Sequence, residues 1–442
     1  YRPLIEALEQ AVLAGDSAAF LSLTSANANR NAAAAFASEH LYANVERTTI
    51  NPRFLSPIDD LPGGTGYDLT VEVFSESGIR GRLETWQLEI VRQEQGDDII
   101  WRIRDQARVD SIDNLRHLNL NSTKQYAANN MVLVSEDLSL TLTEGTVFVS
   151  ETELGVTGLV LLGEGVMNFT PQPEAEQGQV RIFSGKEALT AKFETAFVRM
   201  HPDLFNLQFS TMGLVEQTVE SDKLRDATEI FDAFIGLSFA LDLSHVTDRL
   251  WSLVPGVGDF LAEVPTSRNG TLTYVLSGHQ PEDISLYERE TRRIISLYPS
   301  ARKREVQGRY FGDSDNTRVD VLDYDITASF IPLGVSQQSI MAVPRLQGCR
   351  IVGSARLALR VKGLPITSFS LRLAEELEVS SVTSDEFGPL LFFRLTGQNN
   401  LTVNLPGEVP DSTEFTITVS YEGELPAQQL EENWIAKNFR VW

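Results

Sequence analysis

Polar and apolar residues alternate along 68–74, 83–91 and 99–105. A period of two puts every second side chain on one face, so these stretches must be strands lying against a core. The links between them carry Gly78 and Gly96-Asp97, which suit hairpins. From Asp320 on, the same pattern continues to the end of the chain. Seven candidate strands cover 321–330, 351–361, 368–373, 377–382, 390–395, 401–405 and 413–421. Gly, Pro, Asn and Asp separate them, and Pro406, Pro410 and Pro426 fall in the links, where no ladder bond is lost. That spacing predicts an antiparallel β-sandwich.

Helical periodicity appears first at the start of the chain. Leu4, Ile5, Leu8, Val12 and Leu13 share one helical face, Gly15-Asp16 breaks the run, and Asp16 can cap a second helix carrying Ala19, Phe20 and Leu23. A third helix includes 32–40. The middle of the chain is mixed. Residues 113–180 read as strands, 171–178 (PQPEAEQG) as a loop, and 186–200 as an amphipathic helix with Leu189, Phe193 and Phe197 four apart. Residues 224–254 read as mostly helical, 270–276 as a strand, and 302–305 as a solvated charged run. At about 150 residues per domain, 442 residues give about three domains. The expected class is a β-rich α+β multidomain protein. Its expected parts are an α+β unit at 1–112, an antiparallel sheet with an amphipathic helix at 113–210, and a helical or mixed region at 211–318. The sandwich follows at 319–425, then a tail, or the start of a further domain, at 426–442.

Composition excludes some functions. The formal net charge is −24, which repels a phosphate backbone and argues against nucleic acid as a partner. One cysteine, Cys349, cannot form a disulfide within the chain or a four-cysteine zinc site. The longest apolar run, 234–243, already holds Ser238 and Asp242, whereas a membrane-spanning helix needs about 20 apolar residues. Tyr1-Arg2-Pro3 leads straight into a helix pattern, compatible with a cytosolic protein or a processed mature chain.

Candidate site residues are few. Tyr42, Tyr67, Trp86 and Trp101 could line a pocket in the first unit, although aromatics on alternating strands are core by default. His40 and Asp105 could pair there, but lack the third partner an acid–base site needs. Asp313, Asp315, Asp320, Asp323 and Asp325 form a carboxylate cluster of the kind calcium takes. Arg318 stands where the twelve-residue calcium loop needs glycine, and Tyr324 where it needs glutamate, so the default reading is a polar linker. Gly334-Val-Ser-Gln-Gln338 fails the nucleophile-elbow pattern, and Gly185-Lys186 is followed by Glu rather than Ser or Thr.

Two stretches resemble known families. The helix–Gly15-Asp16–helix opening and the strands around Trp86 and Trp101 resemble the SnoaL-like cone, a fold used by enzymes, binding modules and spacers alike. Residues 321–425 resemble the N-terminal β-domain of M1-family (gluzincin) aminopeptidases. Five elements appear in the family's order: VLDYDITASF at 321–330, IVGSARLALRVKG at 351–363, LEVSSV at 377–382, LTVNLP at 401–406 and TVSYEGEL at 418–425. The insertion at 332–348 departs from the family and puts the geometry of the first two strands in doubt.

The resemblance implies a sandwich that braces a catalytic domain and frames its cleft. Catalysis in that family needs an H-E-x-x-H helix, which binds zinc and activates water, and a G-x-M-E-N motif. Neither occurs here; the nearest match, Gly165-Val-Met-Asn-Phe169, lacks the carboxylate. The expectation is therefore a non-catalytic N-terminal part of an M1-like protein, serving in docking, support or substrate positioning. No cofactor is expected, with zinc only in a downstream domain. The expected partner is that domain or another protein, and the resemblance implies a periplasmic or extracellular setting. Two rivals are a structural subunit that pairs through its sheet edges and a small-ligand or enzymatic pocket in the cone.

Overall fold

The computed structural model describes residues 1–58, 65–95, 98–210, 212–277, 282–291, 293–307, 318–336, 345–363, 365–396 and 400–426. The chain is a β-rich α+β protein with several antiparallel sheets and few helices. It divides into two compact units. The first holds Tyr1–Asp113, Ser244–Thr247 and Arg318–Trp442, and the second holds Asn114–Leu243 and Asp248–Thr317.

The first unit opens with α1 (Arg2–Ala14), α2 (Ser17–Ser22) and α3 (Arg30–His40). Gly15 ends α1 at φ 60°, and a Cβ there would meet the Tyr42 carbonyl oxygen at 2.8 Å, so only glycine fits. The Asp16 side chain accepts from the Ala18 and Ala19 amides at 2.9 and 3.0 Å and starts α2. Strands β1 (Arg47–Ile58), β2 (Gly66–Ser77), β3 (Arg80–Gln95) and β4 (Asp98–Arg116) follow in that spatial order. Their inner face carries Leu69, Val71, Val73, Trp86, Leu88, Ile90 and Ile103, packed on Leu4, Leu8, Val12, Phe20 and Phe36. Strand β1, a stretch to which no element was assigned from the sequence, carries Pro52 and Pro57. It lies at the sheet edge and shifts register at Pro52/Phe54, where proline is tolerated.

The second unit contains β5 (Leu120–Ser135), β6 (Leu138–Thr152), β7 (Gly155–Phe169), α4 (Glu174–Ser184), β8 (Leu189–Met200), α5 (Pro202–Phe209), β9 (Val215–Gln217) and α6 (Ser221–Ile235). After these come β10 (Ala240–Leu241), β11 (Trp251–Leu253), β12 (Phe260–Thr266), β13 (Gly270–Leu276), β14 (Ile284–Glu288), β15 (Arg293–Tyr298) and α7 (Ala301–Gln307). Nine strands form one sheet in the order β15-β14-β13-β12-β8-β7-β6-β5-β9. One layer of its core centres on Leu140, Leu161, Phe169, Val198 and Tyr274. A second, with Phe148, Val160, Phe197 and Leu261, packs on Phe231 of α6.

Three expectations are corrected here. The predicted amphipathic helix at 186–200 is strand β8, hydrogen-bonded to β7 and β12. A spacing of four is one helical turn but also two strand repeats, and β8 buries Leu189, Ala191 and Phe193 alternately. The predicted loop at 171–178 contributes to α4, with Pro173 at its N-cap and Glu174 and Glu176 in its first turn. The mostly helical 224–254 is α6 followed by the short strands β10 and β11.

The first unit also holds the sandwich: β16 (Val319–Ser336), β17 (Arg345–Val361), β18 (Ile366–Arg372), β19 (Leu377–Ser384), β20 (Gly388–Pro389), β21 (Phe392–Arg394), β22 (Asn400–Val409) and β23 (Glu414–Pro426). Sheet β16-β17-β23-β19-β20 faces sheet β18-β22-β21 across a core of Leu359, Val361, Val382, Val403 and Ile417. The insertion lengthens the first hairpin without disturbing it: the β16–β17 ladder runs on through Pro332↔Cys349 to Ser336↔Arg345.

The second sheet is narrower than the first, and β16 lies at the edge of the wider one. Tyr324 is opposite Leu357, and Phe330 is opposite Ile351, so these side chains share the core-facing side. Yet Tyr324, Ile326 and Phe330 are 61, 59 and 63% exposed, while Leu357 and Ile351 are buried. Val319 and Val321 still pack on the sandwich core and Ala328 on Ile351, but at Tyr324, Ile326 and Phe330 the core face of β16 is exposed among the described residues.

Candidate functional site

Two faces of the β1–β4 sheet carry polar clusters. On the helix side, strand alternation puts Glu84 in phase with Trp86, Leu88 and Ile90, and Glu84 is only 2% exposed. Tyr42 OH donates to Glu84 Oε1 at 3.3 Å, and Trp86 Nε1–H donates to Oε2 at 3.2 Å. Arg108 Nη1 stands 3.6 Å from Oε1. Arg82 lies over the Tyr42 ring, 3.7 Å from its centre, and pairs with Asp113 at 2.7 Å.

Burial pushes the Glu84 carboxyl up, against the pull of Arg82 and Arg108. Burial also lowers the His40 imidazole, helped by Arg108. The cluster thus favours a protonated acid and a neutral imidazole. Phe36 packs edge-on at 4.6 Å from His40 and 5.0 Å from Trp86, so aromatic rings separate these two groups.

The expected pocket residues therefore divide. Tyr42 and Trp86 meet at Glu84, and Trp86 and His40 meet at Phe36. Tyr67 and Trp101 pair with each other, their rings 5.6 Å apart. Asp105 accepts from the Gln106 amide, and His40 has Glu39 and Phe36 as neighbours, so the His40–Asp105 pair that the sequence allowed does not form. Glu84 was missed, although its inward phase was readable from the position of Trp86.

Folding raises the Glu84 pKa, so the protonated acid is favoured in the native state. Its stabilising share is complete below the ordinary value of 4.5 and is lost as pH rises through the folded value. Glu84→Gln is expected to gain a few degrees of thermal midpoint on the parent between pH 4 and pH 7. Calorimetry across that range checks it; a constant difference would refute it.

On the other face, Arg53 of β1, Glu72 of β2 and His245 meet. Arg53 Nε donates to Glu72 Oε2 at 2.9 Å, and Nη2 is 2.8 Å from the same oxygen. His245 Nε2 is 2.5 Å from that oxygen and 2.7 Å from Arg53 Nη2. One ring nitrogen cannot both donate to the carboxylate and accept from the guanidinium. The short contact favours Nε2–H donating to Glu72, while Glu72 itself holds Arg53. Glu72 is buried, yet its carboxyl lies below the usual range, because the His245 and Arg53 contacts outweigh desolvation.

Sandwich residues close over this cluster. Glu378 comes within 3.7 Å of Arg53, and the Phe392 ring centre lies 5.8 Å from its guanidinium. The cavity left between Arg53, Glu72, Thr70, Thr85, Ser381 and Leu390 is about 20 Å³, room for one water. Asp110 adds a second tie, accepting from Asn404 at 3.0 Å. The chemistry is that of a fastening between the helix-capped sheet and the sandwich.

Asp313 and Asp315 of the candidate calcium cluster, read by default as a polar linker, lie outside the described residues. Asp320, Asp323 and Asp325 run along strand β16, not a loop, and Asp320 pairs with Lys362 at 3.1 Å. Nor do the residues fit a zinc centre: among the described residues, no three His, Cys, Asp or Glu gather to hold a metal ion.

No family profile matches the sequence, and no curated protein matches it. Among solved structures, the chain is similar to an M1 zinc metallopeptidase from Deinococcus radiodurans, at 17% identity and a TM-score of 0.20. The match covers 26% of this chain and 22% of that one.

Proposed function

We propose that this chain is a non-catalytic docking and support part of an M1 metallopeptidase-like protein, working in the periplasm or outside the cell. The observation that carries the reading is the exposed stretch of β16's core face at Tyr324, Ile326 and Phe330. Tyr324, Ile326 and Phe330 continue the sandwich's apolar side beyond its narrower second sheet. Covering such a side chain yields roughly 1.5–3 kcal/mol, and β16, at the edge of its sheet among the described residues, is placed for strand addition. An adjoining peptidase-like part is the proposed occupant, in keeping with the five ordered sandwich elements. Residues 1–112 then act as a SnoaL-like spacer, fastened to the sandwich through Arg53, Glu72 and His245. Oxidative footprinting of Tyr324 and Phe330 in the natural protein, set against the isolated 442-residue chain, tests this. Protection in the natural protein supports the reading, and equal labelling overturns it.

A further inference from the structure

Arg199 of β8 is completely buried and faces the apolar layer of Phe197, Phe231 and Leu261. Its hydrogen-bond partners are neutral: Nε donates to the Thr157 carbonyl, Nη1 to Ser252 Oγ and Nη2 to the Leu253 carbonyl, each at 3.1 Å. A guanidinium has five N–H donors, so two have no partner among the described residues. Burial pushes the group down to about 9, still cationic at neutral pH. A buried cation without a counter-charge is costly, and proteins rarely leave one so.

Three further features converge on this side chain. Ser150, Gly158 and Arg199 lie in one row across β6, β7 and β8. A Cβ on Gly158 would stand 3.2 Å from Ser150 Cβ and 3.3 Å from Arg199 Cδ, so the glycine lets the Arg199 stem lie across β7 beside Ser150. The register shift at Ser150/Glu151 sets Thr157 beside that row. Ser150 Oγ and Thr157 Oγ1 are buried hydroxyls with no hydrogen-bond partner among the described residues. Finally, Phe239, whose ring centre is 5.9 Å from the guanidinium, holds a left-handed φ of 56°, strained for a bulky residue.

We propose that Arg199, Ser150 and Thr157 hold one small monovalent anion, a halide such as chloride. A single negative charge balances the single guanidinium, and the hydroxyls supply the remaining donors. A site this enclosed, with one cation, does not suit phosphate or a substrate carboxylate.

The test uses the full 442-residue chain with bromide as the probe. Crystals grown in sodium bromide should show one anomalous peak within hydrogen-bond distance of Arg199. In solution, the thermal midpoint should rise by about 3 °C on replacing gluconate with chloride at equal ionic strength. The double variant Ser150→Ala/Thr157→Val, its fold checked by circular dichroism, should lose at least half of that rise. A non-anomalous, water-sized peak beside Arg199, or bromide at surface positions only, would overturn the proposal. So would equal midpoints in the two salts.

Discussion

Gly423→Ala is expected to unfold the sandwich. Gly423 lies in β23, between β17 and β19, opposite Ile351 on one side and Leu377 on the other. A Cβ there would stand 2.1 Å from the Glu376 carbonyl oxygen and 2.9 Å from Leu377 Cα. Both obstacles are backbone, so no side chain can swing away. The expected cost is about 3 kcal/mol or more, at the upper end for point changes. Gly407→Ala is the control: nothing lies within 4 Å of its would-be Cβ, and the change should cost no more than about 0.5 kcal/mol. Thermal midpoints with near-UV circular dichroism compare the two, and similar losses would contradict the account. Gly353 meets the same constraint at the Thr327 carbonyl, 2.8 Å away. Both glycines belong to the ordered elements at 351–363 and 418–425, so those elements answer to strand packing rather than to chemistry.

Arg53→Ala is expected to cost about 3–5 kcal/mol, the usual range for stranding a buried charge. It leaves Glu72 buried with His245 as its remaining close partner among the described residues. Conversion of both Arg53 and Glu72 to apolar residues should recover much of that loss, because no charge is then stranded. The pH dependence has a definite sign. Folding lowers the Glu72 pKa, so its stabilisation is present above the ordinary value of 4.5 and is lost as pH falls through the folded value. Arg53→Ala should therefore flatten the acid limb of the stability curve. Urea unfolding from pH 3 to 7 measures this, and an unchanged acid limb would refute it.

The parts of the fold governed by local alternation were legible in the sequence. Strands β2 and β3 follow from every-second-residue patterning, and the sandwich from short strands between Gly, Pro and Asn links. The parts governed by long-range contacts were not. Leu189, Phe193 and Phe197 satisfy helix and strand alike, and only pairing with β7 and β12 decides between them. Strand β1 carries prolines that are acceptable only because it lies at an edge. The site shows the same split. Tyr42 and Trp86 could be picked out as aromatics, and Glu84 shares the phase of Trp86. The Arg53–Glu72–His245 cluster could not be read, because His245 is 192 residues from Arg53 along the chain.

The central claim is that the bare side of β16 is a covered surface in the natural protein. Hydroxyl-radical footprinting, read by peptide mass spectrometry at Tyr324 and Phe330, tests it most directly. The isolated chain should label strongly at both rings, as their exposures of 61 and 63% require. The natural protein should label several-fold less at both, with its digest also yielding peptides of a peptidase-like part. Equal labelling in the two samples, with no such peptides, would contradict the account.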